Sequence, residues 1–341
     1  MTERKSNFLR NDNLESLLTE INSRLEKSEE DIAAKFPSPE FPVVLVIGPP
    51  RSGTTVMMQW LANLGHFAYP SNLLSRFFGA PYVGGLIQRL IFDPKYNYKD
   101  ELISSQFAPN FHSDLGKTKG PLEPNEFWYF WRRFVDIDQA EKLTANQIAN
   151  MDKAGFLSGI ASLQAVFKKP WAMKGILLQY DLQLLDEMFP KLLLISMDRS
   201  TDHNSLSLLK AREKYFGDRG SWFSVRPPGY EQLQHLSPAE QVVGQVEFTK
   251  QSIQRETQCI DSNRWLKVDY QDFCQSPKST FEKIQAKLAD QGYLLEDSYN
   301  GPEQFEDRNR STSDSDEDME LIRMAMTTWN SRVKNNSVSQ D

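Results

Sequence analysis

Residues 41–58 read FPVVLVIGPPRSGTTVMM. The run Val43–Ile47 is apolar and mostly β-branched, which predicts a buried strand. Gly48-Pro49-Pro50 breaks it. A helical pattern from Val56 to Leu64 follows and ends at Gly65. Strand, glycine loop and helix in this order make an anion cradle, because loop N–H groups and a helix N-terminus face the same point. The loop carries glycines at 48 and 53, one cation at Arg51, and hydroxyls at Ser52, Thr54 and Thr55.

The glycine spacing is that of a Walker A loop, G-x-x-x-x-G-K-[ST]. Thr54 stands where that loop has its lysine, and the cation lies inside the loop at Arg51. A cradle with its cation displaced should hold something other than the β- and γ-phosphates of ATP.

The chain has 341 residues, 39% of them hydrophobic, enough for one large α/β domain. Its net charge of −7 argues against general nucleic-acid binding while allowing a local basic pocket. Cys259 and Cys274 make no disulfide framework and read as reduced thiols. The four histidines are scattered, so no metal site is expected. Residues 1–13 contain no apolar leader core, and no run of about 18 apolar residues occurs, so no membrane span is expected and the setting should be cytoplasmic.

Leu14, Leu17, Leu18, Ile21 and Leu25 predict an amphipathic helix within 12–36, capped by Asp12 or Asn13. Its apolar face packs on its own domain or forms a homodimer contact. Proline breaks at 37, 39 and 42 separate residues 1–40 from a main domain over 41–300. The stretch 66–135 is rich in aromatics, including FWYFWRRF at 127–134, and interrupted by glycine and proline. Some of these rings must be core, and the composition also suits a substrate pocket or lid. Further strands are expected at 192–197, ending at Asp198-Arg199, and at 265–268, ending at Asp269-Tyr270. Trp171–Leu178 is a short apolar segment with Lys174. Helices should fill 139–168, 181–188, 238–262, where Ser237 and Glu240 form a capping box, and 278–290. Residues 301–341 hold an acidic run at 314–318, a helical stripe at Met319, Ile322, Met326, Trp329 and Val333, and a frayed tail. The fold class is therefore α/β: a P-loop-like parallel sheet with helices on both faces and the aromatic-rich insertion as substrate lid. Ligands of such sheets bind at the carboxyl ends of strands, where the loop, Arg199 and Tyr270 all fall.

GPPRSGTT resembles the 5′-phosphosulfate loop of sulfotransferases that use 3′-phosphoadenosine 5′-phosphosulfate (PAPS). Three further features match that family in order: Lys174 before a helix leading through Phe189-Pro190 into the second strand; Arg199 with Ser207 eight residues later; and Tyr270-Gln271-Asp272 at a strand end. The resemblance spans residues 43–287. It implies that Pro50, Arg51, Ser52, Gly53, Thr54 and Thr55 surround one 5′-phosphate, with Arg51 reaching the bridging oxygen or the sulfuryl group. Arg199 and Ser207 would take the 3′-phosphate. Tyr270 would meet the adenine edge, and Trp60 would stack on adenine or belong to the core. Arg308 and Arg310, in DRNRS, resemble the late basic segment that closes over the 3′-phosphate.

The reaction implied is in-line sulfuryl transfer to an acceptor hydroxyl, a glycan or glycolipid being the class the aromatic stretch suits. Arg51 and Lys174 would stabilise charge on the leaving phosphate, and adenosine 3′,5′-bisphosphate would be the product. The base departs from the family pattern. Ile176 stands where cytosolic sulfotransferases carry a histidine, and residues 66–78 hold no acid where tyrosyl-protein sulfotransferases carry a glutamate. The candidates are Glu126, then His112, then Glu123, with Asp114 in the same segment. An acid in aromatic surroundings should have a raised pKa. A small P-loop kinase and a non-catalytic PAPS-binding protein are the competing readings.

Overall fold

A computed structural model describes residues 4–97, 99, 101–102, 111–309 and 317–338. Its strands are β1 Val43–Ile47, β2 Ser113–Asp114, β3 Lys117–Thr118, β4 Trp171–Lys174, β5 Leu192–Asp198 and β6 Trp265–Asp269. Its helices are α1 Asp12–Leu25, α2 Glu30–Lys35, α3 Thr54–Asn63, α4 Pro81–Phe92, α5 Trp128–Arg132, α6 Ala145–Ala149, α7 Lys153–Phe167, α8 Leu182–Met188, α9 Thr201–Phe216, α10 Tyr230–Leu233, α11 Pro238–Thr257, α12 Tyr270–Gln275, α13 Pro277–Asp290 and α14 Glu317–Val338.

β4, β1, β5 and β6 form a parallel sheet in that order, with Val44 opposite Ala172 on one side and Leu193 on the other. β1 lies inside, and all five of its residues are buried. Its side chains alternate between two cores. Val43, Leu45 and Ile47 join a core with residues of α7 and α8, and Val44 and Val46 join one with residues of α3, α12 and α13. A strand covered on both faces has no polar side, which is why the run Val43–Ile47 is apolar throughout.

The aromatic run 127–134 is mostly core. Phe127, Phe130, Trp131 and Phe134 are buried. Phe127 stacks on Phe130 at 4.5 Å, and Trp131 meets Phe156 of α7 at 4.6 Å. The expected lid therefore loses these rings. They bolt the insertion to the sheet, and the short hairpin β2–β3 remains near the loop.

The amphipathic segment is also shorter than its pattern. α1 ends at Leu25, a 3₁₀ turn covers Glu26–Glu29, and α2 follows. The cap is Asn11, whose side chain accepts from the Leu14 N–H, not Asp12 or Asn13. Both of these are already helical. α1 packs on its own domain: Asn22 donates to the Arg76 carbonyl at 2.8 Å and accepts from the Gly79 N–H at 2.6 Å. The Glu29 carboxylate accepts from the N–H groups of Tyr82 and Val83, capping α4 from another segment.

A third core joins α9, α11 and α14 through Leu208, Val243, Val246, Ile322 and Trp329. α11 starts in the expected capping box of Ser237 and Glu240. The side chain of Val333, and Asp314–Asp316 of the acidic run, lie outside what is described. No helix among the described residues is long and apolar enough to cross a membrane.

Candidate active site

The glycine loop leaves the carboxyl end of β1 and enters α3 at Thr54. Gly48 and Gly53 have φ of 144° and 104°. A Cβ at Gly48 would lie 2.6 Å from the Met197 carbonyl oxygen, and one at Gly53 would lie 2.6 Å from the Tyr270 ring. Arg51 also has positive φ, 69°, which a side-chain-bearing residue adopts only when its surroundings enforce it. Here three bonds do so. The Ser52 N–H donates to the Pro49 carbonyl at 3.1 Å, the Asn204 amide donates to the Pro50 carbonyl, and Arg199 Nη1 donates to the Arg51 carbonyl at 3.1 Å. The Gly48 N–H is taken by Gln179 Oε1 at 3.1 Å. Ser52 is fully buried and its Oγ has no hydrogen-bond partner among the described residues.

One corner of the site gathers positive charge. Arg51 Nε donates to Ser207 Oγ at 3.2 Å, and Arg199 lies 4.9 Å over the Tyr270 ring. Arg199 Nε donates to Asn309 Oδ1 at 2.7 Å. Among the described residues neither guanidinium forms an ion pair with a carboxylate. Burial, then the neighbouring charges of Arg199 and Arg308, lowers the Arg51 pKa to about 10; burial also lowers that of Arg199. The Arg199 backbone is fixed in turn. Lys250 of α11 donates to its carbonyl at 2.6 Å and pairs with Asp198 at 2.8 Å, while Lys267 pairs with the other Asp198 oxygen. The resemblance has Arg51 reaching the bridging oxygen or the sulfuryl group; in this structure its side chain meets Ser207 and its carbonyl meets Arg199.

Lys174 ends β4, and its ammonium donates to Thr55 Oγ1 and Glu126 Oε1, each at 2.8 Å. Trp128 Nε1 donates to Glu126 Oε2 at 2.7 Å. Burial alone would raise the Glu126 pKa, but the Lys174 charge and bond, with the Trp128 bond, hold it below the usual carboxylate value. This corrects the expected rise: the acid entered aromatic surroundings together with a cation. The hairpin β2–β3 hangs beside this group, with a Cβ built on Gly116 falling 3.5 Å from Thr55 Oγ1.

The other candidates separate. Glu123 is buried and accepts from Gln59 of α3 at 3.0 Å. Gln59 also donates to the His112 carbonyl, and the His112 side chain is exposed. Asp114 pairs with Lys214 at 2.6 Å. Thr54 is buried at the start of α3. Trp60 has no exposed surface; it packs edge-on against Phe273 at 5.2 Å and donates to Tyr299, so it belongs to the core. Arg308 is exposed beside the Arg51–Arg199 corner, and Arg310 lies outside the described residues.

The model of the Sulfotransferase family matches residues 42–289, from the strand before the loop to the helix after Tyr270. The chain belongs to the sulfotransferase family. No curated protein matches its sequence. Solved structures similar to this sulfotransferase include STF9 from Mycobacterium avium, at 13% identity over 93% of this chain and 75% of that one, TM-score 0.49. STF1 from Mycobacterium tuberculosis is 14% identical over 90% and 76%, TM-score 0.46. The sulfotransferase domain of a Synechococcus olefin synthase is 16% identical over 85% and 95%, TM-score 0.38.

Sequence reading missed Gln179, Asn204, Lys250 and Asn309 in this sulfotransferase. Three of these are amides, which carry no motif of their own. Asn309 alone had a pointer, since it lies between the two arginines of DRNRS.

Proposed function

We propose that this sulfotransferase takes its sulfuryl group from PAPS and passes it to an acceptor hydroxyl. The observation that supports the donor most is the corner where Arg51 and Arg199 sit with Ser207 and, among the described residues, no paired carboxylate. Two partly desolvated guanidiniums in one place are costly unless an anion neutralises them. A nucleotide with a phosphate at its 3′ position, in addition to the one in the glycine cradle, meets that need. The cradle suits a single 5′-phosphate: Ser52 Oγ is buried with no hydrogen-bond partner among the described residues, and the loop runs straight into the N-terminus of α3 at Thr54.

In the transfer, the S–O bond to the 5′-phosphate breaks and a bond from sulfur to the acceptor oxygen forms. Lys174 stabilises the charge gathering on the leaving phosphate, reaching from the same point as Thr55. Glu126 receives the acceptor proton. With Phe127, Phe130, Trp131 and Phe134 in the core, the proposal for the acceptor extends to a hydroxyl and no further. A cytoplasmic setting belongs to the same proposal.

Thermal-shift titration tests the donor. Adenosine 3′,5′-bisphosphate should stabilise the protein, and Arg199→Ala should abolish the effect. Preference for ATP·Mg²⁺ would sink the proposal and favour a kinase.

A further inference from the structure

Arg199 reaches its position with help from a residue 110 positions away. Asn309 is buried, 5% exposed, and its Oδ1 takes the Arg199 Nε–H at 2.7 Å. The other half of this amide is unspent: Nδ2 is buried with no hydrogen-bond partner among the described residues. Buried amide donors are ordinarily satisfied, so an orphan beside two guanidiniums points to an acceptor that belongs there. The segment delivering Asn309 is anchored independently. The Phe305 N–H donates to the Cys274 carbonyl at 2.8 Å, the Phe305 ring packs on Phe273, and Asp307 Oδ1 accepts from the Asn309 N–H at 2.9 Å.

We propose that Asn309 is a nucleotide-binding residue of this site: Oδ1 fixes Arg199, and Nδ2 donates to the 3′-phosphate. The inference rests on the donor reading above. With Nε committed to Asn309 and one Nη1 hydrogen to the Arg51 carbonyl, the remaining N–H groups of Arg199 meet no acceptor among the described residues and can face the same anion. Selection of a 3′-phosphorylated nucleotide then depends on a neutral amide as well as on the arginines.

Asn309→Asp separates the two roles of the amide. Aspartate keeps an oxygen for Arg199, so a residue that only anchors Arg199 tolerates it. A residue that donates to a phosphate does not, because the donor is lost and a like charge takes its place. Calorimetric titration with adenosine 3′,5′-bisphosphate and with adenosine 5′-monophosphate reads the difference. The expected result is a loss of about tenfold or more for the bisphosphate, with the monophosphate held within about threefold. Should the aspartate variant fold poorly by thermal melt, Asn309→Ser removes both roles of the amide at once, with an expected loss of about threefold or more confined to the bisphosphate. Wild-type affinity for the bisphosphate in the variant, or equal losses for both nucleotides, would overturn the proposal for Asn309 alone. Wild-type protein with no preference for the bisphosphate would overturn the donor reading, and Asn309 with it.

Discussion

Glu126 is held at both carboxylate oxygens, by Lys174 on one side and Trp128 on the other. That grip aims the group and keeps it ionised. Its depressed pKa stabilises the fold above the ordinary carboxylate value, and that contribution is lost as pH falls through the lower, folded value. The same sign applies to the base role proposed for it. Turnover should stay flat from about pH 8 to about pH 5 and fall only below the ordinary glutamate range of about 4.3. Glu126→Gln should lower kcat by about 10²–10⁴-fold while bisphosphate affinity stays within about twofold. A pH–kcat profile that already falls within that pH range would overturn Glu126 as the base. The chain announced Glu126 only by elimination. Its partner Lys174 was legible from its place before the Phe189-Pro190 turn, but a contact between residues 48 positions apart is not written in either neighbourhood.

At the scale of elements, the helices remote from the sheet control the charged corner. α9 carries Asn204, which holds the Pro50 carbonyl, and Ser207, which meets Arg51. α11 carries Lys250, which holds the Arg199 carbonyl. α14 covers both through Met319, Ile322 and Trp329, the last packed edge-on against Phe248 at 5.0 Å. Trp329→Ala removes the largest ring of that third core and should cost about 3–5 kcal/mol, measured by urea unfolding. Because the corner rides on these helices, bisphosphate affinity should fall as well. Unchanged unfolding would show that α14 is dispensable. The stripe on α14 was readable because one face of a helix repeats every three or four residues. The aromatic run at 127–134 was not readable in the same way, since a core and a ring-binding pocket draw on the same residues. Only packing against Phe156 of α7 distinguishes them.

At the scale of the whole molecule, strands far apart in the chain bring their carboxyl ends to one edge. The order β4-β1-β5-β6 sets Lys174, the loop, Arg199 and Tyr270 side by side. That edge was legible because β1 and β5 are apolar runs that lead directly into the glycine loop and into Asp198-Arg199. The N-terminal segment was less so. Its apolar stripe allowed a partner subunit, yet its polar residues make the attachments: Asn22 to Arg76 and Gly79, Glu29 to α4, and Glu15 accepting from Tyr129 at 2.7 Å. Deleting residues 1–35 uncovers the first turn of α4 and several buried polar groups. The thermal midpoint should drop by about 4 °C or more, by circular dichroism. An unchanged midpoint would mean that these bonds contribute nothing to the fold.

The left-handed backbone at Arg51 has a kinetic consequence. Its strain is countered by Asn204 and Arg199, both beyond the loop itself. The loop therefore has little reason to fray alone, and it loses its shape only when α9 or the end of β5 lets go. In hydrogen-exchange terms the cradle and the third core should therefore open together, and the loop should keep its shape whenever that core is closed.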